Sequence, residues 1–222
     1  MPFLPIIIFA ALALLLVLYN QYRQRLRQQA VRALAASLGI EVTAALQPQD
    51  FEIFQNFEIA KRGRGRVSNN AMVADSGPLR VVVFDHKFTV GSGKQAHTYR
   101  QTIAMVSSQS INTPHFTLAP EGFWHRVGEF FGFKDINFET DPEFSKTFQL
   151  KGPDVGAIRD FMTSSRRSQL LQFSGFNLES LGSNFILYRS KRVLDTDAFQ
   201  ALMSQCLTLN EVLEDPESDN ID

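Results

Sequence analysis

The sequence predicts an α+β protein: an N-terminal transmembrane helix followed by one domain with an antiparallel β-sheet and flanking helices. Three observations predict it. An uncharged apolar run, Pro2 to Tyr19, opens the chain. Two strand-like stretches, Leu79 to Val90 and Tyr99 to Val106, flank a glycine-rich turn. The remaining strand candidates are joined by short loops or helical stretches, without the β-α-β rhythm of a parallel sheet. A small β-barrel of pleckstrin-like type with a terminal helix satisfies the same pattern and is the second expectation.

The opening run, PFLPIIIFAALALLLVLY, is about 27 Å long as a helix, close to the roughly 30 Å hydrocarbon core of a bilayer. A cleaved signal peptide has a basic segment before its apolar centre and a small-residue cleavage site after it. No Lys or Arg precedes this run, and Ala10, Ala11 and Ala13 lie inside it. Residues 1–20 therefore read as an uncleaved anchor. The flanking charge, Arg23, Arg25, Arg27 and Arg32, is all C-terminal. Basic residues collect on the cytoplasmic side, so the expectation is a single-pass protein of the inner (cytoplasmic) membrane, N-terminus out and domain in the cytoplasm.

Residues 21–39 continue as a juxtamembrane helix. Tyr22, Leu26, Ala30, Leu34 and Leu38 recur at four-residue spacing as an apolar stripe, and Gly39 supplies a C-terminal cap. Arg23, Arg25 and Arg27 are candidates for contact with anionic headgroups, each worth about 1 kcal/mol near the surface, or serve only to set topology.

Residues 40–210 form the expected cytoplasmic domain. From Ile40 to Ala60 helix and strand are not separable by period. Lys61-Arg62-Gly63-Arg64-Gly65-Arg66 reads as a solvated basic turn, with grip on a phosphate or an acidic partner as the second reading. In Leu79 to Val90 the period of two puts Val82, Phe84, His86, Phe88 and Val90 on one face and Val81, Val83, Asp85, Lys87 and Thr89 on the other. His115 to Leu118 and Phe144 to Leu150 are further strands. Pro153 opens a helix with Val155, Ile158, Phe161 and Met162 inward. Ser164 or Ser165 caps the next. Leu178 to Leu181 and Phe185 to Tyr188 flank Gly182-Ser183, a hairpin turn. Asp195 caps a final helix carrying Phe199, Leu202, Met203, Cys206 and Leu213. Residues 211–222 read as an acidic disordered tail.

Chemistry is sparse. Net charge is -1 in 222 residues, so nucleic acid is not an expected partner. Cys206 is the single cysteine, which excludes an intramolecular disulfide. Gly91-Ser92-Gly93-Lys94 fails as a phosphate loop: Phe88 stands where the first glycine belongs, Gln95 follows the lysine, and the next segment is strand-like. His86, His97, His115 and His125 have no metal-ligand spacing. The acidic group Asp135, Glu139, Asp141 and Glu143 lacks a calcium loop's glycine and ligand spacing. No Gly-x-Ser-x-Gly elbow is present. No catalytic residue, cofactor or metal is assigned.

Phenylalanine is abundant, 20 residues, and concentrates in Glu121 to Phe133, EGFWHRVGEFFGF. Phe123, Trp124, Arg126 and Phe130 are candidates for contact with a membrane or partner: aromatic rings suit the interface and Arg126 reaches headgroups. Packing on the sheet is the competing expectation. The function expected is a membrane-tethered cytoplasmic interaction module, non-enzymatic, with the lipid bilayer and another protein as partners and oligomeric state open. A membrane-associated hydrolase with a site assembled from dispersed His, Asp and Ser is the alternative.

Phe84-Asp85, Phe88-Thr89, Gly91-Ser92-Gly93-Lys94 and Thr98-Tyr99-Arg100-Gln101-Thr102 resemble the hairpin of a family of uncharacterised bacterial proteins. Phe131-Gly132-Phe133, Asp135-Ile136, Phe138, Pro142, Phe144 and Leu150 are similar to its second block. The resemblance implies a bacterial, membrane-anchored protein without an assigned activity.

Overall fold

The computed structural model describes residues 4–123, 133 and 135–214. Its centre is one sheet of strands β1 (Glu41–Ala45), β2 (Arg64–Asp75), β3 (Leu79–Val90), β4 (His97–Ser108), β5 (Thr113–Pro120), β6 (Phe148–Lys151), β7 (Asn177–Gly182) and β8 (Asn184–Tyr188). The spatial order is β1-β2-β3-β4-β8-β7-β5-β6, every pair antiparallel. β1 and β6 end the order and do not pair with each other, so the sheet is open; the outer side of β6 is met by Asp135, which bridges to Lys151, and by Ile136 N, which donates to Leu150 O at 2.8 Å. The α+β reading holds and the pleckstrin-like barrel does not.

The long β3–β4 hairpin is the spine. Phe84 lies opposite Ile103 in its register, and both are buried, at 1% and 0% exposure. Side chains alternate across the sheet, and β3 is covered on both sides. Val82, Phe84 and Phe88 join one core with Phe54, Phe57, Tyr99 and Tyr188; Val81 and Val83 join the other with Phe116, Phe185 and Leu209. Helices α2 (Pro48–Phe54) and α3 (Glu58–Lys61) lie over the first core. Over the second lie α4 (Pro142–Thr147), α5 (Val155–Phe161), α6 (Ser164–Leu170), α7 (Phe199–Leu213) and the end of α1 (Leu4–Leu38).

α1 is continuous, and from Ile6 onward it is the one described helix long and apolar enough to cross a membrane. Its first part stands clear of the sheet: Ile6 is 65% and Phe9 75% exposed. Its last part is core, with Val31 and Ala35 buried and Leu34 packed beside them. This corrects the expected stripe. Tyr22, Leu26 and Leu38 are exposed, and the docked face is Arg27, Val31, Leu34 and Ala35. An arginine heads that face, so a stripe sought by hydrophobicity falls on the neighbouring one.

Other departures are local. Phe144 to Leu150 divides into helix and strand, because Pro142 takes the first turn of α4 and the Asp141 carboxylate accepts from Phe144 N at 3.2 Å. Thr163, not Ser164 or Ser165, caps α6, its Oγ1 accepting from Arg166 N. Val155 is exposed rather than inward. Asp195 precedes a 3₁₀ turn, Thr196–Ala198, with no side-chain cap. β2 went unread as a strand because it begins inside the basic run. Gly63, at φ 61, approaches so closely that a Cβ there would press into the Thr89 carbonyl oxygen. The final helix runs to Leu213, and α6 holds its end: Arg166 donates to the carbonyls of Val212 and Glu214 at 2.9 Å.

Candidate functional site

β2 begins, β3 finishes and β4 begins at one end of the sheet, where Thr89 faces Arg64 and Thr98. β7 begins at this end with Asn177, paired to Tyr188, the last residue of β8. β5 finishes here at Pro120. The free part of α1 leaves the domain towards the same end: Arg23 and Gln24 share a groove with Lys87 and Arg100, further along the strands than Asp85 beside Arg27.

One polar cluster fixes α1 to the sheet. Arg27 donates Nε and one terminal N–H to the two Asp85 carboxylate oxygens at 3.0 and 3.1 Å. Asn70 Nδ2 donates to Asp85 at 3.1 Å and Thr102 Oγ1 at 2.8 Å. Asn70 reaches it because β2 bulges between Asn69 and Met72, with Asn70 in the left-handed region at φ 55. A bulge re-aims a side chain, and asparagine tolerates that conformation. Thr102 Oγ1 accepts from Leu194 N, which ties the segment after β8 to the same point. The pair is charge-assisted and bidentate, the stronger kind of hydrogen-bonded contact. It borders a groove of about 420 Å³.

The end towards which the apolar part of α1 leaves the domain is also the basic end. Lys61 ends α3, Arg64 and Arg66 open β2, Lys94 sits in the hairpin turn, and Arg189, Lys191 and Arg192 follow β8. Several brace the backbone: Arg64 donates to Gly91 O at 2.6 Å, and Arg66 to Lys61 O and Gly63 O at 2.9 and 2.8 Å. Of the residues singled out from sequence, Arg23 and Arg25 are exposed on α1. Arg27 is committed to Asp85. Phe123 is buried in the first core, just beyond Pro120. Trp124, Arg126 and Phe130 lie outside the described residues.

Glu179 and His86 are buried titratable groups; the sequence placed His86 on the Phe84 face of β3 but did not single out Glu179. Glu179 is 2% exposed. Its carboxylate accepts from Glu58 N at 2.6 Å, Ile59 N at 3.3 Å and Tyr188 Oη at 3.1 Å, pinning α3 over the sheet. Burial pushes its pKa up to about 7 against those hydrogen bonds. The only sequence signal was an acid within an apolar β-hairpin. His86 is also buried, its Nδ1 2.9 Å from Ser68 Oγ. Burial, with the nearby Arg66 charge, pulls its pKa down to about 4. Its Nε2 is buried without a hydrogen-bond partner, so no carboxylate orients the ring as a Ser–His–Asp site requires. Asp85 follows the alternation and faces the opposite side. Among the described residues no group of His, Cys, Asp and Glu is placed to hold a metal ion.

No family model and no curated protein matches the chain. A solved structure is similar: the crystal structure of the mycobacterial trehalose monomycolate transport factor A, TtfA. The likeness has a TM-score of 0.57 at 8% identity and covers 84% of this chain and 93% of that one. At that identity the likeness is one of fold. The family resemblance read from the sequence is matched by no family model; what is shown is a fold similar to that of a mycobacterial transport factor.

Proposed function

We propose that this chain is a membrane-tethered, non-enzymatic interaction module on the cytoplasmic face of the inner membrane, acting as an accessory factor in the movement of a lipid or lipid conjugate. The observation that carries the tether is the continuity of α1: one helix holds the exposed apolar run and the buried Val31 and Ala35, locked by Arg27 on Asp85. Residues 1–20 are the anchor in this reading. Residues 21–39 hold the domain at one height and angle, and 40–210 carry the partner surface. Arg23, Arg25 and the segment with Trp124, Arg126 and Phe130 contribute the lipid contacts. The transport class is taken from the name of TtfA, whose fold this chain shares. The full chain should stay in the membrane pellet through alkaline carbonate extraction; release into the supernatant would overturn the tether.

The hydrolase reading rests on the contact between Ser68 and His86. A histidine with a pKa near 4 is a weak base at neutral pH, which favours a structural role. Turnover of a chromogenic ester or phosphate that disappears in Ser68→Ala would reverse that judgement.

A further inference from the structure

We propose that the cleft between the turn at Ser174–Asn177 and the segment Arg189–Arg192 binds a phosphate-type anion, presented by a membrane amphiphile. The cleft is about 410 Å³, and none of its described lining residues is acidic. Arg189, Lys191 and Arg192 supply three cations; Ser174 and Ser190 supply hydroxyls. Asn177 lines the cleft, is 3% exposed, and leaves its Oδ1 buried without a partner. Arg189 Nε is likewise buried and unpartnered. Native proteins satisfy nearly all such groups; the Arg189 Nε donor is one that an oxyanion completes, while the Asn177 oxygen is an acceptor and calls for a hydroxyl on the group that carries the anion.

The geometry suits an anion. The Arg189 guanidinium lies 4.1 Å from the centre of the Phe176 ring. The ring covers one face of the fork and leaves its N–H edges for bidentate contact with an oxyanion. Lys191 stands in the left-handed region at φ 60, a conformation that costs a non-glycine residue and persists only where its surroundings impose it. They do so here: Lys191 N donates to Gln101 Oε1 at 3.3 Å, and Thr102 N donates to Arg192 O at 2.9 Å. The segment is thereby stapled along β4. Pro120 and Phe123 form an apolar wall beside the charges, which matches an anion joined to hydrocarbon. The cleft opens at the anchor end of the sheet, where the tether holds it close to headgroups. The lipid source rests on the proposed tether; the anion site does not.

The test uses the full chain in an uncharged maltoside micelle. The probes are dihexanoyl phosphatidylglycerol, dihexanoyl phosphatidylcholine and inorganic phosphate, titrated by calorimetry. Phosphatidylglycerol should bind saturably and better than phosphatidylcholine. The exposed pair Lys191→Gln/Arg192→Gln should weaken it about ten-fold or more, while Arg64→Gln/Lys94→Gln, which removes the same charge from the hairpin, should change it less than about two-fold. Phosphate binding as tightly as phosphatidylglycerol, with the same variant pattern, assigns the site to a soluble phosphoanion. Tighter phosphatidylglycerol assigns it to lipid. Absence of saturable binding by either anion, equal binding of phosphatidylcholine, or equal loss in both charge variants would overturn the site. Release of the chain by carbonate with anion binding intact would sink the tether and leave the site standing.

Discussion

Replacing Asp85 by Asn removes the charge that holds Arg27 and should loosen the helix that carries the apolar run. Side-chain exposures are 23% for Arg27 and 14% for Asp85. Fully exposed ion pairs contribute about 0.2–1 kcal/mol. Stripping one partner from a buried pair costs about 3–5 kcal/mol, because the other charge is stranded. The groove of about 420 Å³ beside the pair admits water, so the stranded guanidinium is partly rehydrated and the cost falls between these limits. Arg27→Gln and Asp85→Asn should each cost about 1–3 kcal/mol, with a coupling of about 1–2 kcal/mol in the double variant. Urea midpoints of the four full-length proteins in micelles give the cycle. Spin labels at Gln29→Cys and Gln95→Cys report the geometry; both positions are exposed, whereas Cys206 is 1% exposed and should escape labelling. The distance distribution between α1 and the hairpin should broaden in Asp85→Asn. A coupling under about 0.3 kcal/mol with an unchanged distribution would refute the lock.

Further predictions follow from burial, charge and topology. Phe84→Ala should cost about 3–5 kcal/mol; a loss below about 1 kcal/mol in denaturant would mean the strand face is wet. Glu179 has its folded pKa raised from 4.5 to about 7, so its contribution is fully present below pH 4.5 and is lost as pH rises through 7. His86, lowered from 6.5 to about 4, contributes above pH 6.5 and loses that as pH falls through 4, so the two slopes oppose each other and the informative quantity is a difference. The stability of the wild type minus that of Glu179→Gln should fall between pH 4.5 and 7; a flat difference would show that the carboxylate is not desolvated. A C-terminal reporter active only outside the cytoplasm should stay silent after Asp222, and strong signal would reverse the proposed orientation. Removal of residues 1–38 should lower solubility and the thermal midpoint, whereas removal of 1–20 should not lower the midpoint; equal midpoints for the two would show that α1 contributes nothing to the core.

Much of the fold was legible because some stretches carry a single period. Leu79 to Val90 alternates so consistently that its two faces could be assigned residue by residue: Val82, Phe84, His86 and Phe88 are buried on one, and Val81 and Val83 on the other, where Asp85, Lys87 and Thr89 are partly buried. The β7–β8 hairpin was marked by Gly182-Ser183, the apolar run by its lack of charge. β2 was hidden because its first residues are arginines and glycines and its middle is Asn69-Asn70, a composition that local propensity reads as turn. The lock between Arg27 and Asp85 was illegible for a different reason. The two residues are 58 positions apart, and nothing local distinguishes Arg27 from Arg23 or Arg25. Only the sheet, once folded, presents an acid to one of the three. The anion cleft likewise joins a turn before β7 to a segment after β8, and its cations were dispersed among ordinary surface charges.

The consequence of that long-range contact is mechanical. A tether joined to its domain by a flexible linker raises local concentration and leaves orientation free. A tether that is itself a core helix removes that freedom. Val31 and Ala35 pack in the second core with Met72, Val83 and Ala104, so tilting α1 against the sheet uncovers those residues and breaks the Asp85 cluster. Four attachments at different depths, the Arg27 pair, Val31, Leu34 and Ala35, resist rotation as well as translation. With residues 1–20 in a bilayer, the end of the sheet bearing Lys61, Arg64, Lys94 and Lys191 must face the surface. Contact between that end and anionic headgroups would then require no search, and each contact would be weak and collective, about 1 kcal/mol per cation. Specificity would have to come from a feature with fixed geometry. At this end that is the cleft whose arginine is stacked on Phe176 and whose lysine backbone is stapled to β4.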